Sequence, residues 1–173
     1  QNDYCLNVLE NRPAAIDKYP FYYLDYLQGM SYLYKLDYNS SKQYFDQFVQ
    51  DFKGRNYIKS TYHKLAWISF LKGETEKKNA YFKQVISKGS SSIDEDKVAL
   101  KEAKQNYITH PMLLKARLLY DGGYYLLALD ELKQIELELN KQKLNLDKLT
   151  IDLKVREERV LELENILKKK DQA

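Results

Sequence analysis

A small side chain followed sixteen positions later by a bulky one recurs along this chain, and the recurrence confines it to a narrow class of folds. Gly29 pairs with Phe45, Ala66 with Phe82, and Ala116 with Leu132. The first two pairs stand 37 residues apart and the last two 50, so about 13 extra residues separate the second and third units. Around each pair apolar residues return three and four apart, as in the stretch from Tyr57 to Val85. There Tyr62, Leu65, Ala66, Trp67 and Phe70 precede Gly73, and Tyr81, Phe82 and Val85 follow it. Two amphipathic helices folded about one glycine give that pattern. Self-similarity at a fixed period marks hairpins that stack because none can bury its apolar face alone.

The spacing predicts units over about 20–53, 57–88 and 108–140, with an inserted helix at about 93–105 and a C-terminal helix at about 145–170. The first unit is expected to begin at Pro20, which suits a helix's first turn, with Asn39 or Ser40 as the N-cap of its second helix. Before it, Tyr4, Leu6, Val8 and Leu9 read as the last turns of an upstream helix ending at Asn11-Arg12-Pro13. The chain opens on Gln1 rather than methionine and so reads as a processed or excised piece.

These spacings resemble the tetratricopeptide repeat (TPR): a small residue, a large one three later, glycine at the turn, then alanine and an aromatic. The third unit fits best, through Ala116, Leu119, Gly123, Tyr125, Ala128 and Leu132. The second supplies Leu65, Ala66, Gly73 and Phe82, and the first Gly29, Tyr32, Tyr38 and Phe45. Gln28 and Lys115 stand where the family has leucine, Lys78 replaces a small residue, and the 37-residue period exceeds the family's usual 34. Stretches such as Leu113–Tyr125 are also similar to TPR-like proteins of Bacteroidetes-type bacteria. The resemblance implies an all-α superhelix of helical hairpins closed by a long C-terminal helix. It also implies part of a longer, exported protein, hence a periplasmic or cell-envelope setting over a cytoplasmic one.

A search for chemistry ends without an active site. His63 and His110 are the two histidines, 47 residues apart and without ligand spacing. Cys5 is the single cysteine, with no base beside it in the sequence, and Gly122-Gly123 lacks the lysine and preceding strand of a phosphate loop. Asp94-Glu95-Asp96 reads as the start of the inserted helix rather than a cation site. No metal, cofactor or enzymatic activity is expected. Charged residues make up 31% of the chain with a net charge of +3, and the signs alternate, so nucleic acid is not an expected partner. No apolar run approaches the ~20 residues of a membrane span.

What remains is a surface. In TPR-like stacks the first helix of each unit lines a concave groove. Carried onto this sequence, those positions are Tyr23, Tyr26, Met30, Leu33 and Tyr34, then His63, Trp67, Phe70 and Leu71, then Leu113, Arg117, Tyr120 and Asp121. Trp, Tyr and Arg are enriched in binding hot spots, so the expected role is a protein–protein interaction scaffold that takes a peptide or partner protein. The competing expectation is that these side chains pack on one another or on the inserted segment. An alternative role rests on the tail. Leu132, Ile135, Leu139, Leu146, Leu149, Leu153, Val160, Leu163 and Leu167 alternate three and four apart, broken by Gln142 and Arg156. That heptad pattern suits either a helix closing the stack after a break near Asn140–Asn145, or an assembly module forming a homodimer through residues 146–167.

Overall fold

A computed structural model describes residues 2–13 and 23–171, without side-chain detail from 168 onward. The described residues form eight helices and no strand. They are α1 (Asn2–Glu10), α2 (Tyr23–Tyr34), α3 (Tyr38–Asp51), α4 (Ile58–Leu71), α5 (Thr75–Ser87), α6 (Asp94–Lys104), α7 (Pro111–Asp121) and α8 (Tyr125–Asp171). The expected helix start at Pro20 lies outside the described residues. None of these helices is long and apolar enough to cross a membrane. The chain divides into two compact units, Gln1–Leu132 and Lys133–Ala173.

Within the first unit α2 packs on α3 and α4 on α5, each an antiparallel hairpin, and α6 lies against both α4 and α5. The hairpin turns share one construction. Leu36, Gly73 and Gly123 each take a left-handed backbone, at φ 61°, 76° and 81°. In each case the next amide donates five residues back: Asp37 to Tyr32, Glu74 to Ser69 and Tyr124 to Leu119. This is the Schellman closure of a helix C-terminus. The three residues repeat the 37- and 50-residue spacings of the sequence. A leucine in the left-handed region costs roughly 1–2 kcal/mol of backbone energy. Leu36 offsets that cost by packing its half-buried side chain on the core. The N-cap of α3 is Asp37, not Asn39 or Ser40: its carboxylate accepts from the Ser40 amide at 3.1 Å. The Schellman turn brings Asp37 to that position.

Helix α4 is the centre of the unit, with eleven of its fourteen residues buried. It also carries the small–large nesting. Ala66 is fully buried, and in the α2–α3 hairpin a Cβ placed on Gly29 would lie 2.6 Å from the Phe45 ring. Glycine at 29 therefore permits the close approach, and Phe45 is itself fully buried. Ala116 is buried as well, but its counterpart Leu132 is 45% exposed, and Ala128 takes the inner position instead. The third pair is thus not closed as the first two are.

The first turn of α4 has no cap of its own. Tyr57, at its N-cap, has φ 63° and no side-chain hydrogen bond to the helix. The missing acceptor comes from α6. Asp96, fully buried, accepts from the Tyr57 amide at 2.7 Å and from the Ser60 amide at 2.8 Å. Asp96 therefore closes α4 rather than merely opening its own helix, as the local sequence suggests. Burial pushes its carboxyl above the usual range although both amide bonds act the other way. Between Tyr57 and Ser60, the buried Lys59 ammonium donates to the Val85 carbonyl at 2.7 Å, near the C-terminus of α5.

Helix α8 runs unbroken through 140–145, where a break was expected. Nothing there forces a stop: Asn140 and Asn145 are flanked by good helix formers, with no glycine or proline. From residue 136 to 167 every side chain is exposed.

Two substitutions test these devices. Gly29→Ala gains up to about 1 kcal/mol of helix propensity but overpacks a buried ring at a cost of about 1–3 kcal/mol, so net destabilisation is expected. Urea unfolding should also show Gly29→Ala with Phe45→Leu losing less than the two single losses combined. Asp96→Ala should cost about 1–3 kcal/mol by leaving two amides without their acceptor, and Asp96→Asn less. An Asp96→Ala midpoint equal to that of the parent would refute the capping role.

Candidate partner-binding cleft

Three tyrosines and a methionine spaced three and four apart on α2 form one wall of a cleft of about 640 Å³. Tyr23, Tyr26, Met30 and Tyr34 line it from α2; His63, Lys64 and Trp67 from α4; Glu95, Val98 and Glu102 from α6; Arg117 and Asp121 from α7. Asn2 and the exposed Cys5 of α1 reach its edge. Tyr23, Tyr26 and Tyr57 form a packed ring cluster, with Tyr57 4.7 Å from Tyr23 and 4.9 Å from Tyr26 between centroids. The Tyr26 hydroxyl and the Ser60 hydroxyl lie 2.9 Å apart, which fixes the tyrosine against α4. Burial pushes the Tyr23 and Tyr26 phenols up, so both stay neutral hydrogen-bonding groups.

Of the expected groove residues, Tyr23, Tyr26, Met30, Tyr34, His63, Trp67, Arg117 and Asp121 meet at this cleft. Others do not. Leu33 is fully buried in the core, and Phe70 and Leu71 are half-buried against it. Tyr120, 63% exposed, instead has its ring centroid 5.3 Å from that of Tyr125. Leu113 borders a smaller hollow of about 300 Å³, which shares Trp67, Glu102 and Arg117 with the main cleft. The inserted helix α6 supplies one wall without filling the space. Its contribution and that of Lys64 escape a groove template built from first helices alone.

The α4 end of the cleft is electrically distinctive. Trp67 is 95% buried, and its indole N–H has no acceptor among the described residues. The Lys64 ammonium lies 3.6 Å from the centre of the Trp67 ring, and the Arg117 guanidinium carbon 5.8 Å away. Lys64 forms no ion pair among the described residues, whereas Arg117 has only the Asp121 carboxylate at 3.7 Å. Although Lys64 is half-buried as a whole, its ammonium is enclosed. That enclosure, with Arg117 adding repulsion and the carboxylates of Glu102, Asp121 and Glu95 opposing it, brings its pKa down to about 8. Beside it His63 is almost wholly buried. Burial holds His63 below the usual histidine value, opposed by Glu102, whose carboxylate lies 3.1 Å from Nε2 but off the line of a ring N–H. The neighbouring imidazole in turn holds Glu102 below the usual carboxylate range. Among the described residues no three His, Cys, Asp or Glu side chains are grouped as metal ligands would be.

A histidine buried neutral makes stability depend on pH with a defined sign. The unfolded chain takes up the proton at about 6.5, the folded chain only lower, so stability is present above that value and falls below it. Urea midpoints should decline as pH drops from 7 through about 6. His63→Phe should flatten that part of the profile while leaving the steeper carboxylate losses at lower pH, and an unchanged slope would refute the assignment. Comparison of the chain with protein-family models, with curated proteins and with solved structures returned no match.

Proposed function

We propose that this protein is a non-catalytic interaction module of TPR-like stacked hairpins. Its aromatic cleft captures a peptide or partner protein that presents a carboxylate. The observation that carries this reading is the α4 end of the cleft, where the enclosed Lys64 ammonium, without an ion pair among the described residues, and the Arg117 guanidinium both lie over the Trp67 ring. An enclosed ammonium without an ion pair is costly, and a partner's carboxylate would offset that cost. A carboxylate seated there would pair with Lys64 and Arg117, while Tyr23, Tyr26, Met30 and Tyr34 provide the apolar and aromatic wall for the neighbouring residues. Perturbed ionisation in a cleft is itself a mark of a working site. The acidic side chains at the α6 edge, Asp94 and Glu95, favour a segment whose opposite end is neutral or basic.

The partner is first identified by mass spectrometry of what the protein captures from its own cells, then reduced to a peptide and titrated calorimetrically. Replacing the peptide's carboxylate by an amide, or making Lys64→Met or Arg117→Met in the protein, should each weaken binding by about tenfold or more. Affinity should fall as pH rises through about 8, where Lys64 loses its charge. Amide and acid peptides binding equally well would exclude this reading.

A further inference from the structure

The 47-residue helix α8 leaves an apolar seam that nothing in the described structure covers. We infer that this seam pairs with a second copy of the same chain, side by side, parallel and in register. The inference is independent of the cleft and goes beyond the function proposed for it.

The argument rests on which heptad positions are polar. With Leu139, Leu146, Leu153, Val160 and Leu167 at position a, the d positions are Ile135, Gln142, Leu149, Arg156 and Leu163. Every a residue is apolar, and all five are between 54% and 64% exposed. Gln142 and Arg156 are the two polar residues in the d line, 14 residues or two heptads apart. An antiparallel pairing sets each d residue level with an a residue, so Gln142 and Arg156 would both face leucine or valine. A parallel pairing in register sets d against d. Gln142 then meets Gln142 of the second copy, and their amides can donate and accept reciprocally.

The charges flanking the seam support the same arrangement. In a parallel pair each g residue faces the e residue five positions on in the other copy. Glu138 then faces Lys143, and Arg159 faces Glu164, both of opposite sign. Asn145 faces Thr150, which is neutral. Two like-charged pairs occur: Glu131 facing Glu136 at the N-terminal limit of the seam and, within it, Asp152 facing Glu157. The second falls on either side of the Arg156 layer, so two guanidiniums sit among four carboxylates. The arginine in the seam and the repulsion beside it are each costly alone, and together they offset one another in part. A second copy supplies this complement automatically. A shorter apolar line, Leu137, Leu144 and Ile151, occupies position f on the far side of the helix and stops at Glu158, so the longer seam is the pairing face.

The full chain is measured by light scattering and then by spin-label distances in a Cys5→Ser background. Labels are placed singly at Lys141→Cys, Lys148→Cys and Glu162→Cys, all at position c and clear of the seam. The expected results are twice the 20.6 kDa chain mass and one common inter-label distance at all three sites. A monomer, a higher oligomer, or distances that change from site to site would overturn the proposal. Arg156→Glu should raise the dimer dissociation constant by about tenfold or more, since every charge in that layer becomes negative. Leu149→Asn at the apolar d layer should weaken it too, and a dissociation constant unmoved by both would count against the seam. Trp67 fluorescence, remote in sequence, reports whether either variant disturbs the first unit.

Discussion

A buried carboxylate on one helix closes the open end of another, and the first unit is arranged around that closure. Asp96 sits where the first turn of α4 would otherwise present unpaired amides to the interior. Helix α4 is buried on nearly all sides, so water cannot serve as the acceptor. The same turn reaches in the other direction through Lys59, which neutralises the carbonyl end of α5. Two long-range side-chain bonds of opposite polarity therefore hold three helices at one point. The hydrophobic nesting of Gly29 with Phe45, and the packing around Ala66, supply area, while the polar contacts at α4 supply orientation.

The hairpins were legible in the sequence because their determinants are local. Glycines 73 and 123 announce left-handed turns, and three-four spacing announces the buried faces. Leu36 obeys the same turn geometry without the residue that advertises it, so the local sequence points to Asn39 or Ser40 for the cap that Asp37 supplies. Gln28, which departs from the TPR pattern, is buried because the Arg12 guanidinium donates to its side-chain oxygen at 2.7 Å. No spacing rule encodes such a partner sixteen residues away. The continuity of α8 across the break expected near Asn140–Asn145 has a simple cause: asparagine within a helix costs only a few tenths of a kcal/mol.

The cleft was half legible. Residues on the first helices of the hairpins could be carried onto a groove, and most of the aromatic ones meet there. Lys64 escaped because it follows His63 on the template yet turns its ammonium over Trp67. Glu102 escaped because it lies on the inserted helix, which has no counterpart in a regular repeat. Tyr120 failed in the opposite sense: it holds a groove position by number, but Tyr125, just past the next turn, offers a closer aromatic surface. Periodicity locates a face; which side chains converge on it depends on what the irregular element brings.

That irregular element also limits how far the hairpins can be separated. Regular solenoids tolerate deletion or duplication because each module depends only on its neighbour's surface. Here the acceptor for an amide in the second hairpin is encoded 39 residues downstream, beyond that hairpin's own end. A module excised at its natural turn would lose its keystone, and one copied in tandem would compete for it. The 37-residue period is thus one of shape rather than of autonomy, and the smallest piece that can be moved as a block includes the insertion.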